Sequence, residues 1–431
     1  PLSESLRPAA GGEAPIFWSL VHLVLCLPQN HSMGYTAIER QISSHYRGSI
    51  AEGMIPGTRV TVSVRRFCSA VDSSLPDWQD VPGLFRTLFR SREVEESNRE
   101  FSYYVLIPAG AYERPSADGT GVVANEPGRR GAIILLHGLN ERSWARYMQW
   151  GARLAEGTGR PVVLFPLAYH MNRSPRSWID RHIMMPLVSA RQSLLPEARL
   201  STFVNVALST RMTVSPQRFM LSGYQTARDL TVLIRSLREG AVPGINAGGQ
   251  TDIFAYSIGA LVTQVMMLSD PSPLPDDSRI MLFCGGSAFS MMDGTSKLIM
   301  DSRAFEMLLS FYIGWPEVPM NGSREILTRL MNDTPEGEAF YAMTSLQRLT
   351  DLRGKPFSRY DGRLKAVTFR EDAVIPAKAV IETLRGADAE VWDPQYPCIH
   401  ESPFPVLAGS GGNEVDRTFD RLFDTAARFL S

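Results

Sequence analysis

The sequence predicts an α/β protein built on a mostly parallel, doubly wound sheet, and three observations carry that expectation. Solid apolar runs recur at residues 132–136, 162–167, 253–256, 280–284, 364–369 and 389–392, and runs without polar alternation belong to strands buried on both faces. Helical patterning separates them at residues 143–156, 226–239, 258–268, 376–384 and 415–430. Strand and helix in alternation give parallel strands joined by right-handed crossovers. Ahead of these runs, residues 59–67 and 99–107 alternate and are rich in β-branched and aromatic side chains, the signature of half-buried strands at an antiparallel edge.

Composition bounds the function. The 431 residues are 44% hydrophobic and 21% charged, ordinary for a globular chain, so one large domain with insertions is expected. Lys and Arg number 44 against 45 Asp and Glu, a formal net charge of -1, so no overall field draws nucleic acid or an anionic membrane surface. Cys26, Cys68, Cys284 and Cys398 are scattered without a CxxC spacing. That argues against a zinc site or a disulfide scaffold and favours a reducing, cytoplasmic setting.

The elements follow in order from the N-terminus. Residues 16–27 form an apolar run, shorter than the about 20 residues of a spanning helix, so no integral membrane association is expected. Only Arg7 precedes the run, a poor signal-peptide start, and Met33 is a candidate natural start. Residues 1–57 are therefore expected to be an extension, with the domain over 58–431. A loop and one short helix fill 77–98, and a Gly/Pro-rich connector spans 108–130.

Two later connections are too long for simple crossovers. About 85 residues separate Leu167 from Ile253 and about 80 separate Cys284 from Leu364, against roughly 2–6 in ordinary βα loops. Insertions are expected at about 168–225 and 286–360. Both leave the C-terminal edge of the sheet, where open α/β sheets bind ligands, so they suit helical caps. Met171, Met184, Met185, Met212, Met291, Met292, Met300 and Met307 fall there, either as a deformable apolar pocket or, the favoured reading, as core filler.

The chemistry sits at strand ends. The 253–256 run leads into Ala255-Tyr256-Ser257-Ile258-Gly259, a small-x-Ser-x-Gly turn into a helix. A serine hydroxyl is a poor nucleophile at neutral pH, and such an elbow exposes it at a helix N-terminus beside a base. The 132–136 run leads into His137-Gly138-Leu139-Asn140, and Asp372 follows the 364–369 run in Glu371-Asp372-Ala373-Val374-Ile375-Pro376. His400 lies in the loop after the last strand.

In this order the motifs resemble the α/β-hydrolase superfamily over residues 99–431, in a bacterial branch with large cap insertions. The resemblance implies Ser257 as nucleophile, His400 as base, Asp372 as the acid that holds the imidazole, and an oxyanion hole from the amides of Leu139 and Ile258. The motif usually has glycine where this chain has Ala255, a small change at a tightly packed turn. His22, His31, His45, His137, His170 and His182 all precede the last strands, leaving His400 without a rival in the C-terminal half. Glu371 is the close rival to Asp372, with Asp293 and Asp393 as further alternatives.

His137, Asn140, Tyr256, Tyr169, His170 and Arg173 are pocket candidates; Arg173 suits a substrate carboxylate, while His137 suits a structural hydrogen bond better. No cofactor or metal is implied. There is no HExxH or EF-hand loop, no P-loop lysine follows Gly285-Gly286-Ser287, and Gly409-Ser410-Gly411-Gly412 lacks the dinucleotide spacing. The expected activity is a serine hydrolase that cleaves an ester, thioester or similar acyl bond of a small molecule through an acyl-serine. The alternatives are an acyltransferase or peptidase on the same triad, or a non-catalytic hydrolase-fold binding protein. The sequence leaves the oligomeric state open.

Overall fold

Nine strands build the main sheet of the computed structural model, which describes residues 34–46, 50–71, 83–89, 92–110, 113–115, 122–124, 131–314, 322–349 and 357–431. The apolar run at 16–27 and Met33 lie outside the described residues. In chain order the first elements are α1 (Tyr35–His45), β1 (Gly53–Met54), β2 (Val60–Cys68), α2 (Arg92–Arg99), β3 (Glu100–Pro108), β4 (Glu113–Pro115) and β5 (Val122–Ala124). The central ones are β6 (Ile133–Leu136), α3 (Ala145–Thr158), β7 (Val162–Leu164), α4 (Arg181–Leu194), α5 (Val206–Val214), α6 (Gln217–Arg238), β8 (Asp252–Tyr256), α7 (Ile258–Leu268) and β9 (Ile280–Phe283). The last are α8 (Ser302–Ile313), α9 (Gly322–Asp333), α10 (Pro335–Met343), β10 (Leu364–Phe369), α11 (Ala377–Thr383), β11 (Asp388–Trp392) and α12 (Gly409–Leu430).

The strand order is β1-β2-β3-β7-β6-β8-β9-β10-β11. The edge from β1 to β3 is antiparallel and the six strands from β7 onward are mutually parallel, the α/β-hydrolase type of sheet that the sequence predicts. Every residue of β6, β8, β9 and β10 is buried. Their side chains alternate between two cores, as the two-residue period of a strand requires. Ile134, Leu136, Ile253, Ala255, Ile280 and Leu282 face one core, which also contains Leu230 and Ile234 of α6 and Val265 and Met266 of α7. Ile133, Leu135, Phe254, Tyr256, Met281 and Phe283 face the other, with Trp150 of α3 and Phe419 and Phe423 of α12.

Two features add to what the sequence predicts. The compact unit starts at Tyr35, ahead of residue 58. Helix α1 is fastened to it: the Tyr35 ring stacks on Phe419 with centroids 4.2 Å apart, and the Tyr35 hydroxyl donates to the Phe404 carbonyl at 3.1 Å. The connector at 108–130 also contains the hairpin β4–β5, whose three-residue strands are too short to show a period.

The long connections carry helices that pack on each other. The first holds α4 and α5 before α6, and the second holds α8, α9 and α10. Asp301 caps α8 by accepting from the Ala304 amide at 3.0 Å, and its carboxylate also takes the Arg191 guanidinium of α4 at 2.6 Å. Tyr312 of α8 receives the Met220 amide at 3.1 Å and donates to the Pro216 carbonyl at 2.8 Å. Of the eight methionines singled out in these segments, Met212 lines a mostly apolar cavity, while Met171, Met184 and Met300 are buried in the cores. Among the described residues, no helix is long and apolar enough to cross a membrane.

Candidate active site

The sheet register brings the reactive turns side by side. Leu136 is paired with Ala255 and Tyr256 with Phe283, so the turn after β6, the turn after β8 and the turn after β9 leave the sheet at nearly one level. Ser257 then adopts φ 56° and ψ -120°, a strained conformation for a residue with a Cβ. Its amide donates to the Phe283 carbonyl at 3.1 Å and its carbonyl accepts from Ala260 at 2.9 Å, which hold the turn in place.

Glycine is needed around this elbow because backbones approach so closely. A Cβ on Gly259 would lie 2.7 Å from the Leu136 Cβ, and one on Gly285 would lie 2.5 Å from the Ala260 Cβ and 3.0 Å from the Ser257 carbonyl oxygen. A Cβ on Gly138 would meet the Tyr256 ring at 2.9 Å. Ile258 is the first residue of α7, so its amide has no intrahelical acceptor. Ile258 and Leu139 line the same cavity.

Three residues far apart in sequence meet here. Ser257 Oγ lies 2.7 Å from His400 Nε2, and His400 Nδ1 lies 2.8 Å from Asp372 Oδ2. All three are buried, with 4%, 5% and 7% of their surfaces exposed for Ser257, His400 and Asp372. Asp372 Oδ1 accepts from the amides of Val374 at 3.0 Å and Ile375 at 2.9 Å, so the turn before α11 fixes the carboxylate. The rival acids are exposed, and neither Asp293 nor Asp393 is bonded to His400. Asp293 accepts from the Thr295 amide at 2.9 Å, Asp393 pairs with Arg370 at 3.4 Å, and Glu371 is exposed beside Asp372.

The His400 loop is fastened by residues whose role the sequence did not reveal. Arg146 donates to the Glu401 carbonyl and is itself paired with Glu141, and Ser296 donates to the Glu401 carboxylate. Tyr256 donates to the His400 carbonyl and stacks on the imidazole with centroids 5.6 Å apart. The three hydrogen bonds to His400 and Glu401 span more than 100 residues each. Only folding brings them together.

The other pocket candidates divide. His137 is fully buried, with Nδ1 2.8 Å from the Gly138 carbonyl and Nε2 accepting the Leu167 amide at 3.0 Å. Burial first, and then the neighbouring His170, hold it well below the ordinary histidine range, so it is a neutral structural link. Asn140 donates to the carbonyls of Val204 at 3.1 Å and Leu298 at 2.7 Å, tying the turn after β6 to both long connections.

Tyr169 and His170 line the cavity. Burial, and then Arg142, push His170 down to about 3. Arg173 does not meet the expectation of a carboxylate grip. Its guanidinium is fully buried against Asp229 at 2.5 Å, donates to the Asn98 carbonyl at 2.9 Å and covers the Phe101 ring, so its charge is already spent inside the protein.

The cavity has about 840 Å³ of space, counting what opens to solvent. Its walls come from the turn after β6, α7 and both long connections, through residues such as Leu139, Ile258, Leu208, Phe219 and Phe340. A concave, mostly apolar space beside a buried Ser-His-Asp chain has the form of a small-molecule site.

Residues 33–431 match a family described as a family of unknown function, DUF6051. No curated protein matches the chain. Among solved structures, a thermostable esterase from Pseudomonas putida is similar at 10% identity and a TM-score of 0.43, covering 98% of this chain and 99% of its own. A carboxyl esterase from the mycorrhizal fungus Tuber melanosporum is similar at 11% identity and a TM-score of 0.42, with 92% and 98% covered. An S-formylglutathione hydrolase from Agrobacterium tumefaciens stands at 13% identity and 0.40, with 89% and 99% covered. At such identities and scores these likenesses lend no role to any residue.

Proposed function

The chain belongs to the DUF6051 family, whose function is unknown, and we propose that it is a serine hydrolase that cleaves an ester or thioester of a small molecule. The observation that carries this reading is the unbroken chain from Ser257 Oγ through His400 to Asp372, at 2.7 Å and 2.8 Å. In that geometry His400 Nε2 takes the hydroxyl proton as Oγ attacks the acyl carbon. Asp372 keeps the other proton on Nδ1 and stabilises the imidazolium without taking a proton itself.

The carbonyl oxygen becomes an oxyanion as the bond forms. The amides of Ile258 and Leu139 are the proposed donors to it, and one such donor is worth about 3–4 kcal/mol of transition-state stabilisation. His400 returns its proton to the leaving group, which departs and leaves an acyl ester on Ser257. Water then enters, His400 takes its proton as the oxygen attacks the acyl carbon, and His400 passes that proton to the departing Ser257 Oγ, which releases the acid and restores both residues.

The test is hydrolysis of p-nitrophenyl acetate, butyrate and octanoate by the full chain and by Ser257→Ala. Turnover by wild type with a fall of at least about a thousandfold in Ser257→Ala supports the reading. Equal rates in the two proteins contradict it.

A further inference from the structure

The cavity that begins at Leu139 and Ile258 is apolar over most of its wall, yet Arg142 and Arg211 both stand in it. Their guanidinium groups lie over the Trp178 ring, 5.2 Å and 4.9 Å from its centroid. Three other buried arginines come with a carboxylate: Arg160 with Asp252, Arg173 with Asp229, Arg191 with Asp301.

Among the described residues no carboxylate pairs with Arg142 or Arg211. Arg142 donates to the Tyr169 carbonyl at 3.0 Å and to Asn140 Oδ1 at 2.8 Å, and Arg211 donates to the Leu88 carbonyl and to the Tyr169 hydroxyl. Neutral acceptors balance no charge. Arg142 Nε is buried without any acceptor. The acid in the cavity wall, Glu336, is engaged by Arg228 at 3.2 Å.

A third polar group in the wall is also incomplete. His170 Nδ1 lies 2.8 Å from the Ala168 carbonyl and so carries the ring proton, leaving Nε2 a buried acceptor without a partner. Buried charge without a counter-charge is costly. Burial presses both cavity guanidiniums below their ordinary value, and for Arg142 the nearby Arg211 adds to it. An anion entering from solvent would relieve both, and a guanidinium fork matches a carboxylate through paired hydrogen bonds.

We infer that the substrate is an ester or thioester whose apolar acyl chain ends in a carboxylate, held by Arg142 and Arg211 while its reacting carbonyl lies at Ser257. His170 Nε2 then accepts from a water or hydroxyl beside that carboxylate. The inference rests on the hydrolase reading for the bond that breaks; the anion site rests on the two arginines alone.

The experiment compares p-nitrophenyl octanoate with the mono-p-nitrophenyl ester of octanedioic acid, which differs by the terminal carboxylate. Wild type is expected to prefer the carboxylated ester by about tenfold or more in kcat/KM, with Arg142→Gln and Arg211→Gln each cutting that preference by about tenfold. Cleavage of the neutral ester with no preference for the carboxylated one overturns the inference and leaves the hydrolase reading intact.

Removal of a buried arginine can itself unfold a chain, so a second measurement uses the Ser257→Ala protein, which needs no turnover. The monomethyl ester of octanedioic acid is expected to bind it by calorimetry, and to bind less tightly when Arg142→Lys replaces the fork with a point charge. No binding to Ser257→Ala overturns the inference. Binding that depends on Arg142, with neither ester cleaved by wild type, upholds the anion site and contradicts the hydrolase reading.

Discussion

Asp372 Oδ2 lies 2.8 Å from His400 Nδ1 while Oδ1 of the same carboxylate accepts the amides of Val374 and Ile375. One oxygen orients the imidazole and the other anchors the acid to its turn. Asp372→Asn keeps an acceptor for the two amides, and its NH₂ group would face Nδ1 and favour the wrong tautomer. The expected result is a folded protein with kcat lowered by about 10³–10⁴-fold. Steady-state hydrolysis together with circular dichroism checks both halves, and activity near wild type would remove Asp372 from the mechanism.

Tyr256 acts on the reaction through the His400 loop. Tyr256→Phe keeps the ring against the imidazole but removes the donor to the His400 carbonyl. An unpaired buried acceptor costs about 1–3 kcal/mol, so a fall of about tenfold in kcat with KM little changed is expected. A change in KM alone would mean that Tyr256 serves substrate binding instead.

The elbow tolerates no added carbon at Gly285. A methyl group there would lie 2.5 Å from the Ala260 Cβ and press on the Ser257 backbone. Gly285→Ala is expected to lose about 1–3 kcal/mol of stability, as overpacked sites do, and to lose activity out of proportion to that. Urea unfolding and ester hydrolysis measured on the same sample check it; full activity at unchanged stability would contradict the close packing described.

Stability should depend on pH through the two buried neutral histidines. Both are depressed in the folded protein, His170 to about 3, mainly by burial. The unfolded chain therefore binds more protons than the native one below the ordinary histidine value of about 6.5. Their contribution is complete above that pH and declines as pH falls, for His170 toward about 3, at up to roughly 1.4 kcal/mol per pH unit for each histidine. Urea unfolding between pH 7.5 and 5 should show this slope, and His170→Gln should reduce it. An unchanged slope in the variant would assign the pH dependence to other groups.

The parallel strands were legible because burial on both faces leaves an uninterrupted apolar run, as in 253–256 and 364–369. Ser257, Asp372 and His400 were legible for a related reason: each lies in a turn or loop after such a run, in a fixed order. Helix α6 starts at Gln217, well before the expected 226, since Ser222, Gly223 and Tyr224 mask the apolar period. Helix α12 starts at Gly409 although glycine is a poor helix former. A Cβ on Gly412 would lie 2.9 Å from the Leu407 carbonyl, so close approach decides that residue over propensity.

The charges were less legible than the strands. Arg173 and Arg211 both lie in the same long connection. Asp229, 56 residues away, absorbs the first, while the second is left in the cavity wall without a carboxylate among the described residues. Which arginine is available to a ligand depends on partners distant in the chain, and no local pattern reports it.

The most direct test of the central reading is labelling of the full chain with a fluorophosphonate probe, with the adduct located by peptide mass spectrometry. The account predicts one adduct on Ser257, absent from Ser257→Ala and sharply weakened in His400→Ala. An adduct on another residue, or a folded wild-type protein that takes none, would contradict it.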